Sequence, residues 1–393
     1  MRIAMLTSVH AWNDVRIYEK EAQSLAERGH EVVVVGPADS GRTSAGRRLN
    51  AESRMQSAEC RMQNGAGRRA KVAHVLVKIP KRRVARMVVG GLRMLSAGLK
   101  LRASVYHFHD PELLPVGLFL RLMGRRVAYD VHEDYAEQIL SKHYLPAWMR
   151  RGVARVFGWA EKLAARRLDG VVAATDHIAG KFTGARVVVV RNYPTCTRRS
   201  AVCNLHSGSG GPFRICHLAS VLSEERGVSS LVRAMEHLGD GFELVLAGRF
   251  VPEEYEQEVR RMAGFRWVRY VGVVPHAEVW RWYEQCDAGA VCLLPVPRFK
   301  VSLPVKLFEF MSAGLAVVAS DFPLFREIVE GSKCGVCVDP ARPEEIARAV
   351  RRLAGNPEEC RRMGANGIAA VQSRYNWESE AATLARFYEE LVR

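Results

Sequence analysis

The chain has 393 residues, enough for two domains with separate cores, and its 48% hydrophobic and 25% charged residues match a globular protein rather than a disordered or fibrous one. With 58 Lys and Arg against 42 Asp and Glu the formal charge is +16, a sign that suits nucleic acid, an anionic membrane or an anionic substrate. Nine scattered cysteines, with only Cys334 and Cys337 close together, argue against a disulfide framework and for a reducing compartment. No window reaches the roughly 20 apolar residues of a spanning helix, so a cytoplasmic protein with at most peripheral membrane contact is expected.

Ile3 to Leu6 reads as a strand and not as a signal peptide, Tyr18 to Arg28 as a helix closed by Gly29, and Glu31 to Val35 as a second strand. This βαβ opening predicts a parallel sheet. Between the strands Asp14, Arg16, Lys20 and Glu21 crowd together, which as bare chemistry is a solvated helix start. Residues 38–71 are rich in Gly, Ser, Arg, Asn and Gln and read as a mobile insertion. No aromatic residue interleaves with its arginines, which argues against base stacking and leaves nucleic acid an unexpected partner.

From Lys81 to Arg102, Val84, Val88, Leu92, Leu95 and Leu99 recur at helical spacing among Arg82, Arg83, Arg86, Arg93 and Lys100. Such a helix can rest on an anionic headgroup layer or pack on the core with a solvated basic face, and three glycines weaken it. Val105 to Asp110 is a strand that breaks at Pro111, and Val127 to Val131 is another that ends in His132-Glu133-Asp134. His109, Asp110, His132 and Glu133 thus fall at strand carboxyl ends, where open α/β sheets bind ligands. His107 also fits a core histidine and Asp110 and Asp134 fit helix caps, and nothing fixes a compact set of metal ligands.

After the basic helix Trp148 to Arg167, strand Gly170 to Ala174, the cap Thr175-Asp176 and strand Val187 to Val190, residues 195–212 form a Gly/Ser-rich linker. A second set of strands follows at Phe213 to Leu218, Phe242 to Ala247, Trp267 to Val271 and Ala288 to Leu293, each with a loop and a helix behind it. Ser302 and Pro304 then mark a helix start, the Ser302 hydroxyl as cap, with Lys306 and Glu309 on one face and Leu307, Phe308 and Met311 on the other. Gly314 ends that helix, Leu315 to Ala319 is a buried strand, and Ser320-Asp321 opens the next helix. A helix start with a nearby lysine seats phosphate, and Glu309 can accept ribose hydroxyls; an exposed Lys–Glu pair is the plainer reading.

KLFEFMSAGLAVVASD followed by FREIVE resembles the donor-nucleotide segment of retaining glycosyltransferases of family 4. YHFHDPELLP and YDVHEDYAEQ are similar to that family's acceptor-domain strands, Asp14-x-Arg16 to a loop of one of its branches, and Asn192-Tyr193-Pro194 to its usual exit from the first domain. The resemblance implies the GT-B architecture, two doubly wound Rossmann-like domains facing a central cleft. The acceptor domain would span 1–194 and the nucleotide-sugar domain 213–375, with helix 376–393 crossing back to the first domain. It implies a retained anomeric configuration and transfer from a nucleotide-diphosphate sugar, taken here as a UDP-sugar, to a saccharide or lipid-linked acceptor in bacterial surface polysaccharide assembly.

By the same resemblance Arg226, Gly227, Ser302, Lys306 and Glu309 hold the nucleotide, backbone groups of Val273 and Val274 meet the base, and His132 stands beside the reacting centre. Asp14, Arg16, His109, Asp110 and Glu133 would line the acceptor side. Arg226, Lys306, Glu309 and His132 form the expected catalytic set, with no metal or other cofactor. The chain departs from the pattern at Val301, where many members carry a sugar-contacting Glu, and at Ser220, where an Arg is common. Because fold does not fix function, an epimerase or hydrolase of nucleotide sugars stays open, and these departures keep a non-catalytic scaffold on the same fold open as well.

Overall fold

The computed structural model describes residues 1–38, 56–58, 72–140, 146–195 and 210–393. The chain forms two compact units, Met1–Asn192 with Trp377–Arg393, and Tyr193–Asn376. The strands of the first are β1 (Arg2–Leu6), β2 (Glu31–Pro37), β3 (Gln56–Ala58), β4 (Val72–Val77), β5 (Val105–Phe108), β6 (Arg126–Val131), β7 (Gly170–Ala173) and β8 (Val187–Val189). They lie in the order β3-β4-β2-β1-β5-β6-β7-β8, parallel except for β3 on β4. The insertion expected at 38–71 falls mostly outside the described residues, yet it supplies the edge strand β3 and so is not wholly a loop.

The second unit holds β9 (Phe213–Leu222), β10 (Phe242–Phe250), β11 (Val268–Tyr270), β12 (Ala288–Val291), β13 (Ala316–Ser320) and β14 (Gly335–Val338). Their order is β11-β10-β9-β12-β13-β14, all parallel. Both sheets reverse strand order beside their first strand, the place where a doubly wound sheet opens a binding crevice.

Strand side chains alternate between faces, and near-continuous apolar runs therefore mean that both faces are covered. In β1, Ala4 and Leu6 enter one core while Ile3 and Met5 enter the other. In β13, Ala316 and Val318 likewise separate from Val317 and Ala319. Burying each such Val, Leu or Ile contributes about 1.5–3 kcal/mol. The helix Trp377–Val392 places Trp377, Leu384, Phe387 and Tyr388 in the core of the first unit, and the Trp377 indole donates to Ser24 Oγ at 2.8 Å.

The segment 83–101 is helical, with a π-turn at Arg86–Gly90. Its inward face is made of Gly90, Gly91, Met94 and Gly98, and Gly98 packs against Leu6 and Tyr106. The glycines thus serve close approach, and they turn Val84, Val88 and Leu92 outward, 75%, 57% and 62% exposed. The helix that carries Lys306 runs Val305–Ser312. It presses Phe310 onto Gly289 of β12, where a Cβ would come within 2.3 Å of the ring. Leu307, Phe308 and Met311 are buried beside it, which leaves Lys306 and Glu309 on the opposite face.

Candidate functional site

In the second unit, four segments meet at the carboxyl ends of β9 and β12. The turn Glu224–Arg226 ends at Gly227, whose φ of +74° only glycine adopts without strain. A Cβ there would lie 1.8 Å from the Cys292 carbonyl oxygen, so the turn packs directly on the strand end and carries Arg226 with it. The Arg226 guanidinium sits 5.8 Å above the Phe299 ring. Lys306 Nζ is buried and has no hydrogen-bond partner among the described residues. Burial, then repulsion from Arg226, lowers the Lys306 pKa to about 7, against the pull of Glu309.

Glu309 Oε2 accepts from the Tyr283 hydroxyl at 2.8 Å, and Oε1 lies 3.7 Å from His276 Nε2. His217, fully buried on β9, sets Nδ1 3.0 Å from the Ala290 carbonyl while Nε2 meets no partner. Burial and Lys306 hold this imidazole neutral, well below its ordinary range. Two buried polar atoms at one strand end thus have no hydrogen-bond partner among the described residues.

Ser302 is corrected. Its hydroxyl donates to the Phe299 carbonyl at 3.1 Å instead of capping the helix, and Pro304 occupies the cap position with no side-chain bond. The helix start therefore keeps open amide groups. Ser320-Asp321 also fails to open a helix: Ser320 is buried, its hydroxyl donates to the Val291 and Leu293 carbonyls, and the helix begins at Pro323. Val273 is exposed after β11, whereas Val274 packs against the core.

In the first unit, Asp110 Oδ2 accepts from Thr7 Oγ1 at 2.9 Å and from the Ser8 and Val9 amides at 2.6 and 3.0 Å, while Oδ1 meets His10 Nδ1 at 2.8 Å. Burial opposes the carboxylate, but these partners hold Asp110 far below the usual carboxylate range and raise His10. Arg16 reaches Glu21 at 2.9 Å, Asp130 at 3.1 Å and the Val190 carbonyl at 3.1 Å. Asp130 Oδ2 lies 3.2 Å from His109 Nδ1 and 3.6 Å from His132 Nε2, and the two imidazoles stack with 3.3 Å between those nitrogens. Burial lowers the His132 pKa to about 3, so it is a neutral imidazole, and its Nδ1 is unpartnered. The Tyr388 hydroxyl hydrogen-bonds His107 Nδ1 and ties the last helix to this cluster.

Several residues expected to face an acceptor are enclosed. Arg16, His109 and Asp110 are 5%, 0% and 1% exposed, and Asp14 caps the helix at Val15 by accepting from the Arg16 and Ile17 amides. The physical reason is ion pairing, because Arg16 is the counter-ion of Asp130, while burial and Asp130 raise the Glu21 pKa and disfavour its charge. Asp14, His132 and Glu133 of this set keep some surface exposure, as does His10. His10, Asp130 and His217 were not singled out in the sequence. Asp130 stood in YDVHED as an inward strand position, and the other two carried no local signal. Ligand atoms of Glu21, His107, His109 and Asp130 lie within 4.8 Å of one another, a spacing that could hold a metal. The Arg16 guanidinium already takes the cation's place between the two carboxylates.

Two doubly wound domains, one with cations poised at a strand end, define a nucleotide-binding α/β enzyme class. Residues 16–193 match the glycosyl transferase 4-like domain and residues 212–356 match glycosyl transferases group 1, together most of the chain. Glycogen synthase of Mycobacterium tuberculosis is 22% identical over 77% of this chain and 73% of its own. Sucrose-phosphate synthase of Thermosynechococcus elongatus shares the fold at TM-score 0.74, 15% identity and coverage of 100% and 99%. The Anabaena protein HepE, solved with UDP, shares it at 0.71, 16% identity and coverage of 99% and 100%. The chain belongs to the family 4 type of glycosyltransferases, of GT-B architecture, and is an enzyme of that class.

Proposed function

We propose that the enzyme transfers a sugar from UDP-sugar to a saccharide or lipid-linked saccharide with retention of configuration. The observation that carries this reading is the buried, unpartnered Lys306 ammonium beside Arg226, one turn from Glu309. A diphosphate would supply the missing counter-charge, and Glu309, its carboxylate oriented by Tyr283, would accept ribose hydroxyls. The solved HepE complex with UDP favours uridine as the base, with Val273 and Val274 beside it.

As the bond from the anomeric carbon to the diphosphate breaks, negative charge grows on the leaving oxygen, and Arg226 and Lys306 stabilise that charge more than they stabilise the ground state. The acceptor oxygen attacks the same face of the sugar, and its proton passes to the departing phosphate. The neutral His132 imidazole orients a hydroxyl through its free Nδ1, next to Glu133. On this reading the side-chain cations do the work that a metal does elsewhere, and no cofactor is needed.

The acceptor pathway is surface polysaccharide assembly at an anionic bilayer. The exposed Val84, Val88 and Leu92 amid Arg82, Arg83 and Arg93 support peripheral contact there. Among the described residues no helix is long and apolar enough to cross a membrane. Flotation with phosphatidylglycerol vesicles is expected to carry the protein, and failure to float refutes the membrane part. For the donor, thermal shifts with UDP, GDP and ADP are expected to favour UDP. Saturation at 100 times the dissociation constant adds roughly 2.7 kcal/mol, an effect absent in Lys306→Ala and Glu309→Ala. Equal or absent shifts for all three nucleotides would overturn the donor assignment.

A further inference from the structure

A cavity of about 570 Å³ lies in the first domain beyond the carboxyl ends of β6 and β7, between helices Tyr135–Leu140 and Ala147–Ala165. At its base Glu161 is only 7% exposed, and its Oε1 accepts from the Tyr129 hydroxyl at 2.8 Å. Glu161 Oε2 has no hydrogen-bond partner among the described residues. A buried carboxyl with one oxygen left over is satisfied by a ligand hydroxyl. Burial, partly offset by the Tyr129 bond, moves the Glu161 pKa up to about 7, so near neutral pH much of its charge is lost.

The other charges leave an excess of one sign. Asp134, two residues beyond His132, is paired with Lys181. Arg151, Arg155 and Lys162 make no salt bridge among the described residues, and Glu137 and the partly charged Glu161 are the acids of the lining left to oppose them. Trp159, 66% exposed, sets an indole on the rim. A flat apolar ring suits the C–H face of a sugar, the free Glu161 oxygen suits a sugar hydroxyl, and unpaired guanidinium groups suit phosphate, whose oxygens they can meet in pairs.

We propose that this cavity binds a phosphorylated sugar, its ring against Trp159, a hydroxyl on Glu161 and its phosphate on Arg151 and Arg155. The proposal rests on the transferase reading, of which it names the acceptor's chemistry: the sugar held here is the acceptor's anionic end. The same chemistry comes from a free sugar phosphate or from the headgroup of a glycolipid, and the test separates these sources.

The full chain is titrated by calorimetry with glucose 6-phosphate and mannose 6-phosphate, with methyl α-glucoside and inorganic phosphate as controls. In parallel it is titrated with phosphatidylcholine vesicles with and without phosphatidylinositol. We expect a sugar phosphate or the phosphatidylinositol vesicles to bind more tightly than either control. Affinity should fall about tenfold in Trp159→Ala and in Arg155→Ala, both at exposed positions. Binding of the sugar phosphates assigns a soluble source, and binding of the vesicles alone a lipid one. Absence of binding from both, binding no tighter than inorganic phosphate, or equal affinity in both variants overturns the proposal. UDP affinity is measured on the same samples. If UDP fails to bind while the sugar phosphate binds, the donor reading falls and this site stands; the reverse result sinks this site alone.

Discussion

In the first domain the Arg16 guanidinium pairs with Asp130 and with Glu21, whose pKa burial and Asp130 push up, whereas in the second Lys306 Nζ is buried with no hydrogen-bond partner among the described residues. Both groups sit at the carboxyl ends of parallel strands, and both have lost water. The first cluster holds the imidazoles of His109 and His132 against Asp130, although His107 Nε2, His109 Nε2 and His132 Nδ1 have no hydrogen-bond partner among the described residues. On the proposed reading, the second becomes balanced when a diphosphate binds. On that reading the contrast separates charges that build a scaffold from charges that bind a substrate, a distinction that residue type alone does not make.

Removing charge should therefore have opposite effects at the two ends. The largest effect is expected for Arg16→Ala, which leaves the buried Asp130 carboxylate without its counter-ion and should destabilise the protein by about 3–5 kcal/mol in urea unfolding. A loss below 1 kcal/mol would break the comparison. Lys306→Met should instead raise the stability of the ligand-free enzyme, by about 1–3 kcal/mol, while abolishing stabilisation by UDP. Its pH dependence has a definite sign. With a folded pKa of about 7 against 10.5 unfolded, the unfolded chain binds more protons between those values, so stability contributed by this group rises with pH across that window. The slope, at most about 1.4 kcal/mol per pH unit, should vanish in Lys306→Met. UDP binding near pH 8 should take up a proton, seen as a buffer-dependent calorimetric enthalpy.

Tyr283→Phe sharpens the comparison within the second domain, since it removes one of the hydrogen bonds that aim Glu309. UDP affinity should weaken by about fivefold to tenfold with little change in melting temperature, the scale of one hydrogen bond to a charged group. The smallest effect belongs to the His10–Asp110 pair. The raised His10 pKa contributes stability below about pH 6.5 that is lost as pH rises through the folded value. The depressed Asp110 pKa contributes stability above about pH 4 that is lost on acidification. Asp110→Asn should flatten both flanks, and a pH profile identical to that of the wild type would refute the pairing.

Much of this protein was legible locally. Both doubly wound sheets follow from short apolar strands separated by helices, and KLFEFM puts Lys306 and Glu309 on one face because the other face is buried. The Arg226-Gly227 turn was legible as well, but its reason was not. The Cys292 carbonyl that forbids a side chain at Gly227 comes from another strand, distant in sequence. That Arg16, His109 and Asp110 are enclosed was not legible for the same cause, since their partners Asp130 and Thr7 to His10 are brought in by sheet order. Ser302 looked like a cap because the next residues are helical, and the Phe299 carbonyl one turn earlier captured its hydroxyl.

The amino-acid sequence by itself determined the two-domain α/β class, the family and the short list of polar residues at strand ends. These depend on periodicity and on motifs a few residues long. The tertiary structure decided which of those residues are used up inside the fold and which remain open. It also assembled the Glu161 and Trp159 cavity from helices and strands that no motif joins. Burial and counter-ion pairing are properties of neighbours in space, and the same Asp or Lys becomes a strut or a ligand-binding group according to what the sheet order sets beside it.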